Sequence, residues 1–244
     1  MQTTLFCILI YFIFFKIKKH LAFKSTRSYY YPRILVYENI SDKKNSKYIT
    51  PQAFEKQIIY LMKKKFRFRK LDDAIKKRQY KSIILTFDKG LASQYKFVFP
   101  ILKKYNIPGL FYLSPKYQNS KKMTEHNIVE MLNSRLIEIG SSAMHCVNLQ
   151  TLLPAKNVIK EILYSKIFLE KKYGIICNHF SYPLNIYDYK ITQVVQKSGY
   201  ISAATQDGKS YNKNKYDLFE IPRIKIDSDV SFAKFKKIIK NGKL

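Results

Sequence analysis

An acidic residue at the end of an apolar segment is the strongest chemical signal in this sequence. Asp88 directly follows the apolar residues 82–87, and Lys89 and Gly90 come next. A carboxylate in such a position can act as a general base that takes a proton from water or from a hydroxyl group. The alternative roles are an ion pair with Lys89 or the cap of a loop. We take Asp88 as the first candidate for a catalytic residue.

Two further apolar segments also end in side chains that could do chemistry. Ser142 is the last residue of the segment 136–142, and His145 and Cys146 follow within four positions. Tyr182 and Pro183 close residues 180–183. Imidazole and thiolate groups are metal ligands, and an aromatic face can stack on a sugar ring. A structural histidine, a small buried cysteine and an ordinary strand end are the alternatives.

The elements that must position these residues alternate along the chain. Apolar segments predict strands over 33–40, 82–87, 109–113, 136–142, 180–183, 201–204 and 221–226. Amphipathic segments predict helices over 51–62, 71–79, 93–105, 124–132, 154–172, 187–198 and 232–240. Strands that are apolar throughout are typical of a parallel sheet covered by helices. We therefore predict an α/β barrel, with its site at the carboxyl ends of the strands.

The N-terminal segment differs from the rest of the chain. Residues 3–15 are uncharged and largely apolar, and Lys16, Lys18 and Lys19 follow. This run is shorter than the roughly 20 residues of a spanning helix, and it lacks the basic start and the cleavage site of a signal peptide. We predict a hydrophobic anchor or signal-like segment over 1–23, a linker over 24–32 and one domain over 33–244. A buried strand or helix is the alternative for the apolar run.

The composition limits the classes of function. Lys and Arg number 45 against 17 Asp and Glu, for a net charge of +28, and 46% of the residues are hydrophobic. This content excludes a wholly disordered chain. Three cysteines cannot build a disulfide framework. The lysines are spread along the chain without an arginine-rich arm, so we predict no nucleic-acid partner. A basic protein of the membrane surface stays an alternative.

Several short motifs, in order along the chain, resemble those of polysaccharide deacetylases with a NodB-homology domain. Residues 84–90, Ile-Leu-Thr-Phe-Asp-Lys-Gly, resemble the TFDDG motif of that family. Residues 180–183, Phe-Ser-Tyr-Pro, resemble the FAYP motif of the subgroup that acts on poly-N-acetylglucosamine. The other similar stretches are 35–40, 49–54, 100–113, 138–141, 197–200 and 221–224. The resemblance implies a (β/α) barrel of the NodB-homology type, closed or incompletely closed.

The resemblance also implies a role for each matching position. Members of the family hold a divalent metal such as zinc with one Asp and two His, while a separate Asp takes the proton of the attacking water. Asp88 corresponds to that catalytic base. Lys89 stands at the position of the metal-binding Asp, and Ser142 and Cys146 stand at the positions of the two His. All three metal ligands are therefore changed, so we predict no metal cofactor and expect a basic side chain, first of all Lys89, to neutralise Asp88.

The family implies a hydrolase of acetamide C–N bonds in N-acetylglucosamine polymers, with Tyr182 and Pro183 in contact with the polysaccharide. The changed ligands predict that metal-dependent activity is impaired or lost. The alternative is an inactive relative that binds a glycan or a protein partner, so the sequence leaves open whether the chain is an enzyme. We expect membrane association in the cell envelope, with the side of the membrane left open.

Overall fold

The computed structural model describes residues 30–42, 48–76, 80–118, 121–152, 154–212 and 214–244. The predicted anchor, residues 1–23, lies outside these ranges, as does the linker up to residue 29. Within the described ranges, no helix is both long enough and apolar enough to cross a bilayer.

A curved sheet of eight parallel strands forms the centre of the molecule. Its strands are β1 (Arg33–Tyr37), β2 (Arg67–Phe68), β3 (Ser82–Phe87), β4 (Gly109–Leu113), β5 (Ile137–Ser141), β6 (His179–Ser181), β7 (Ser202–Ala204) and β8 (Ile224–Lys225). Their order is β7-β6-β5-β4-β3-β1-β8, and β2 pairs with β3. All carboxyl ends therefore meet at one end of the sheet.

Helices pack against this sheet, most of them on its outer face. They are α1 (Pro51–Lys63), α2 (Leu71–Lys76), α3 (Phe99–Lys104), α4 (Glu125–Asn133), α5 (Ala155–Tyr173), α6 (Tyr189–Lys197) and α7 (Phe232–Asn241). Good capping residues fix several of their first turns: the Thr50 hydroxyl accepts the Ala53 N–H at the start of α1, and Thr124 and Asn127 form a reciprocal capping box on α4.

The barrel is incompletely closed, and one short segment joins its two edges. Ile221 bridges to Ala204 of β7 in parallel, and the Arg223 N–H donates to the Thr205 carbonyl at 3.1 Å. The next residues form β8, which pairs with β1. Arg223 is thereby placed between β7 on one side and β1 on the other, where the two edges of the sheet approach each other. The predicted NodB-type (β/α) fold is confirmed in this open form.

Alternation along the strands separates two apolar cores. Leu35, Leu85 and Phe111 belong to the large core under the helices. Their neighbours in sequence, such as Ile84 and Tyr112, belong to a smaller core inside the curl, together with residues of α2. Because successive side chains point to opposite faces of a strand, alternate strand residues project into the barrel interior and lead to its carboxyl end.

Several details differ from the sequence prediction. The strands predicted over 33–40 and 221–226 are shorter, at Arg33–Tyr37 and Ile224–Lys225. The helix predicted over 93–105 begins as a π-helical turn (Gln94–Val98) that ends two residues before Pro100, which has no N–H for an α-helical bond. The strand predicted over 180–183 ends at Ser181, and Tyr182 leads into a 3₁₀ turn (Pro183–Asn185). The two-residue strand β2 is not evident in the sequence because it is too short to show alternation.

Candidate functional site

A cluster of polar side chains fills the barrel interior at the carboxyl ends of the strands. We call it the polar cluster. Asp88 is two residues beyond Thr86 on the inward-facing row of β3, and Ser181 ends β6. Arg223 precedes β8. All four residues are buried. The period of two along each strand places them on the same inner face, so the fold itself brings together residues as distant in sequence as Asp88 and Arg223.

Arg223 holds the Asp88 carboxylate in a bidentate ion pair. Its Nη1 lies 2.7 Å from Asp88 Oδ1 and its Nη2 lies 2.9 Å from Oδ2. The remaining guanidinium hydrogens go to Thr86 Oγ1 at 3.2 Å, Ser181 Oγ at 2.8 Å and the Thr205 carbonyl at 3.1 Å. Every N–H of this buried cation therefore has an acceptor, which is the condition under which a buried charge is tolerated.

Two effects of opposite sign act on Arg223. Burial disfavours the charged guanidinium, but the charge and hydrogen bonds of Asp88 outweigh it and raise the pKa of Arg223. The guanidinium also lies over the Tyr112 ring, 5.0 Å from its centroid, a favourable cation–π arrangement. The Asp88–Arg223 pair is thus a fixed, charged part of the barrel interior.

Lys89 forms a second ion pair beside the first. The turn after β3 takes Lys89 into the left-handed region, with φ 75°, and Gly90 follows with φ 60°. Any other residue at Gly90 would be strained by this positive φ, and its Cβ would lie 2.6 Å from Leu113 Cδ2, so glycine suits the turn. The Lys89 ammonium donates to Glu38 Oε2 at 2.8 Å. Glu38 stands just beyond β1, with Lys225 Nζ 3.9 Å from its Oε1.

The pKa values of this pair favour its charged form. Burial raises the pKa of Glu38, but the hydrogen bond and the charge of Lys89 outweigh burial and bring the pKa below its ordinary value. Burial likewise lowers the pKa of Lys89, and Glu38 more than compensates, so that the pKa is raised. Gln206 connects the two pairs, because its Nε2 lies 3.2 Å from Asp88 Oδ2 and 3.4 Å from Glu38 Oε1.

The prediction that Lys89 neutralises Asp88 is wrong, although a basic side chain does neutralise Asp88. Neighbours in an extended chain point apart, and the left-handed turn directs Lys89 toward the end of β1 and its carboxylate, Glu38. From the sequence, Arg223 stood out only as part of the similar stretch 221–224, and Glu38 and Gln206 had no predicted site role. A lone arginine within the apolar run 221–226 was the available signal, since a buried guanidinium requires a buried carboxylate.

The residues at the three expected ligand positions do not fit a divalent metal. Lys89 is a cation held by Glu38. The Ser142 hydroxyl donates to the Ser181 carbonyl at 3.0 Å. Burial raises the pKa of the Cys146 thiol, an effect that the nearby Lys89 only partly offsets, so the thiol stays protonated at neutral pH. Across the described ranges, no group of three or more His, Cys, Asp and Glu side chains could hold a metal ion.

The three histidines in the described ranges lie away from this cluster. His145 contacts Glu161 through Nδ1 at 2.5 Å and is partly exposed. His179 starts β6, so it lies toward the amino end of the sheet, where its Nε2 is 3.2 Å from Asp72 Oδ1 and its Nδ1 is 2.8 Å from Ser202 Oγ. His126 lies on the exposed side of α4. The chemistry of the cluster is therefore that of carboxylates, amides, hydroxyls and fixed cations.

Tyr182 and Pro183 are both buried at the rim of the barrel. The Tyr182 ring stacks on Tyr187 with centroids 4.3 Å apart, and its hydroxyl donates to the Phe219 carbonyl at 2.8 Å. Burial raises the pKa of Tyr182 beyond the range of ordinary titration. The pair supports the wall of the site, and its contact with a polysaccharide stays a prediction.

Comparison with known proteins agrees with this architecture. The model of the polysaccharide deacetylase family matches residues 75–203, more than half of the chain. The poly-beta-1,6-N-acetyl-D-glucosamine N-deacetylase of Staphylococcus epidermidis is 25% identical over 210 residues, which cover 79% of this chain and 71% of that protein.

Solved structures show the same fold. The Streptococcus pyogenes deacetylase PplD, in complex with acetate, superposes with a TM-score of 0.78 at 19% identity, covering 86% of this chain and 98% of that one. A polysaccharide deacetylase from Bacillus cereus gives a TM-score of 0.77 at 21% identity, covering 86% of this chain and 69% of that one. By its family match, its curled parallel sheet and the position of Asp88, this chain belongs to the polysaccharide deacetylase family.

Proposed function

We propose that this chain is a polysaccharide deacetylase family protein that binds an N-acetylglucosamine-containing polysaccharide without metal-dependent hydrolysis. The observation that carries the proposal is the Lys89–Glu38 ion pair, 2.8 Å long, at the position of an expected metal ligand. Two like charges about 4 Å apart repel by roughly 4 kcal/mol at an effective dielectric constant near 20, and a divalent ion feels about twice that. The Ser142 hydroxyl and the protonated Cys146 thiol are neutral groups, and their attraction for a divalent ion is too weak to offset this repulsion.

Asp88 supports the same conclusion. Both of its carboxylate oxygens accept hydrogen bonds from Arg223, and Gln206 adds a third. A carboxylate so placed keeps the position of a general base. Without a metal to polarise the acetamide carbonyl, however, the attack of water lacks its main source of transition-state stabilisation.

A groove beside the cluster supports glycan binding. It has a volume of about 670 Å³ and is lined by Asn39, which follows Glu38, and by residues 91–93, which follow the Lys89 turn. Tyr48, Tyr95 and Phe97 supply aromatic faces that are only partly buried. Aromatic surfaces together with amide and hydroxyl groups suit the apolar faces and the hydroxyls of a sugar chain. The polymer named for the S. epidermidis relative, β-1,6-linked N-acetylglucosamine, is the first ligand to test.

The test combines metal analysis, activity and binding on the full chain. We expect no stoichiometric zinc, cobalt or nickel after dialysis, no acetate release from β-1,6-linked N-acetylglucosamine oligomers with any of these metals added, and binding of the oligomers in isothermal titration. Phe97→Ala is expected to weaken binding, while Tyr189→Ala on the exposed start of α6 serves as the matched control. One tightly bound metal with acetate release would overturn the loss of hydrolysis, and absence of oligomer binding would overturn the glycan role.

A gain-of-function variant tests the assignment of the three positions. Lys89→Asp, Ser142→His and Cys146→His together are expected to create a zinc site, since they restore one carboxylate and two imidazoles beside Asp88. Zinc titration of the folded triple variant is the measurement. A variant that folds and binds no zinc would show that these are not the former ligand positions.

The predicted anchor over residues 1–23 belongs to this proposal as a prediction. We propose that it associates the domain with a membrane of the cell envelope, because its apolar run is followed by lysines that suit an anionic surface.

A further inference from the structure

A groove lined by lysines lies between α1 and α7, far from Asp88. It has a volume of about 490 Å³, and Tyr60, Phe66, Ala233 and Ile239 form its apolar part. Its charged part consists of five side chains: Lys64, Lys81, Lys236, Lys237 and Lys240. We call this surface the lysine groove. No acidic side chain lines it within the described part of the chain.

The lysine groove is a concentrated positive charge. Lys64, Lys236, Lys237 and Lys240 are exposed, and among the described residues no carboxylate lies within 4.0 Å of their ammonium groups. The Lys81 ammonium donates to the Lys64 carbonyl at 3.0 Å, which keeps it at the groove. Some lysines elsewhere on the surface do have carboxylate partners, such as Lys104 with Glu55 at 2.8 Å. The four exposed groove lysines have none among the described residues, so their positive charges are not neutralised within the groove.

The described part of the chain begins beside this groove. The buried Arg33 side chain at the start of β1 donates from Nε to the Ile239 carbonyl at 3.1 Å and from Nη2 to the Lys240 carbonyl at 3.3 Å. Tyr30 packs on Tyr80, next to Lys81, with ring centroids 5.2 Å apart. Residues 1–29, which include the predicted anchor, are therefore joined to the domain at the lysine groove.

The groove and the polar cluster occupy opposite ends of the sheet. Lys81 directly precedes β3, whereas Asp88 directly follows it. A six-residue strand rises about 20 Å. If an external surface contacts Lys81 and the last turn of α7, the carboxyl end of the sheet and the aromatic groove beside it face away from that surface.

We propose that the lysine groove docks on an anionic lipid surface and so orients the polar cluster away from the bilayer. Charge complementarity supplies the first argument, because phosphate headgroups match the groove's lysines, four of which are exposed with no carboxylate of the described residues within 4.0 Å. The second argument is the junction with the predicted anchor, since an apolar segment attached at this place would hold the groove against the headgroups. The inference is independent of whether the polar cluster binds or hydrolyses a glycan.

Tryptophan fluorescence can test the orientation, because the natural chain contains no tryptophan. Tyr80→Trp places a single reporter beside Lys81, and Tyr189→Trp places one at the start of α6, near the opposite end. Both tyrosines are exposed, at 46% and 77%. The full chain is mixed with vesicles of phosphatidylcholine alone or with an equal part of phosphatidylglycerol. We expect a blue shift of Tyr80→Trp only with phosphatidylglycerol, and no shift of Tyr189→Trp.

Charge variants show whether the lysines are responsible. Changing all five groove lysines to Gln is expected to lower partitioning to the anionic vesicles by at least about tenfold, since each lysine near such a surface contributes to binding. The control carries the same number of Lys→Gln changes at the other end: Lys116, Lys121, Lys122, Lys156 and Lys190. The decrease in partitioning to anionic vesicles is expected to be less than half as large for this control as for the groove variant. Circular dichroism verifies that both variants fold.

Three results would overturn the proposal. Equal blue shifts at both reporters would mean that the groove does not set the orientation. Equal losses in the two charge variants would mean that only net charge matters. Tight binding of a single-stranded oligonucleotide through the five groove lysines, with vesicles inert, would make the groove a nucleic-acid site.

Discussion

At the scale of single residues, the polar cluster consists of two ion pairs with different surroundings. Asp88 and Arg223 are buried, and their hydrogen bonds go to residues of the barrel interior and to Gln206. Glu38 and Lys89 lie nearer the surface, where 31% of the Lys89 side chain is exposed. Gln206 contacts a carboxylate of each pair. The buried pair therefore depends on internal hydrogen bonds, and the outer pair depends more on the charge state of its partners.

The buried pair is expected to be strongly coupled. Asp88→Asn or Arg223→Met alone should lower the free energy of unfolding by about 3–5 kcal/mol, because each leaves a buried charge without its partner. The double variant should lose clearly less than the sum of the two. Urea unfolding of the four proteins gives the coupling energy.

The exposed pair of Lys104 and Glu55, also 2.8 Å long, is the control for this cycle. Its coupling should be far smaller, because solvent screens an exposed pair. Additive losses at Asp88 and Arg223 would contradict the account of their ion pair.

The outer pair predicts a pH dependence. The pKa of Glu38 is lowered, so its pair with Lys89 stabilises the fold above about pH 4.5 and is lost as the pH falls through the lowered pKa. Lys89→Met should cost about 1.5–3 kcal/mol near neutral pH, as expected for a hydrogen bond between charged groups. The difference from the natural chain should shrink in acid. Chemical unfolding between about pH 3 and pH 8 is the measurement, a range in which Lys89 stays charged.

Lys96→Met provides the comparison for the outer pair. Lys96 lies 4.0 Å from Asp42 with both side chains largely exposed, so its loss should cost less than about 1 kcal/mol at any pH. A cost of Lys89→Met that does not change with pH would show that Glu38 does not respond to its partner.

At the scale of elements, packing between strands positions the Arg223 guanidinium. Gly140 on β5 faces the Tyr112 ring on β4, and an added Cβ would lie 2.7 Å from two ring atoms and 2.8 Å from the His179 carbonyl. The ring in turn lies under Arg223. The missing side chain at Gly140 on β5 thus leaves room for the Tyr112 ring. That ring supports the Arg223 guanidinium in its ion pair with Asp88.

Gly140→Ala is expected to destabilise the fold by about 1–3 kcal/mol through overpacking. It should also reduce the coupling between Asp88 and Arg223, because the displaced ring no longer supports the guanidinium. Gly109→Ala is the matched change on β4, where the added methyl meets the flexible end of Leu102 at 2.9 Å, and it should cost less. Equal costs at the two glycines would show that the Tyr112 ring adapts freely. Thermal unfolding of both variants measures this difference.

The elements were largely predictable, and their long-range contacts were not. Continuous apolar runs identify β1, β3 and β4 because these strands are buried on both faces. Asp88 was predictable as a site residue from its place after such a run. Its partner Arg223 is 135 residues away, and the pairing depends on the curl of the sheet, which no local pattern records. The π-helical turn before Pro100 escaped prediction for the opposite reason, because it alters the hydrogen bonds and leaves the amphipathic pattern intact.

At the scale of the whole molecule, charge is the dominant property. The net charge of +28 is the excess of 45 Lys and Arg over 17 Asp and Glu, so it would remain even if every acidic side chain formed an ion pair, and much of it lies on exposed lysines. Such a charge stabilises the dispersed state in solution but opposes compaction through self-repulsion. The lysine groove adds to this repulsion, since its five lysines lie close together and no acidic side chain of the described residues lines it.

The excess of positive charge predicts that added salt stabilises the fold. At about 0.1 M salt the Debye length is about 10 Å, so further NaCl screens repulsion between lysines on different elements while the buried Asp88–Arg223 pair is screened much less. The melting temperature near pH 7 should therefore rise with NaCl, by about 2–4 °C for each kcal/mol gained. The variant with five groove lysines changed to Gln should melt higher than the natural chain at low salt and respond less to NaCl. Differential scanning calorimetry measures both, and a melting temperature that falls with salt would mean that attractive surface pairs outweigh the repulsion of the lysines.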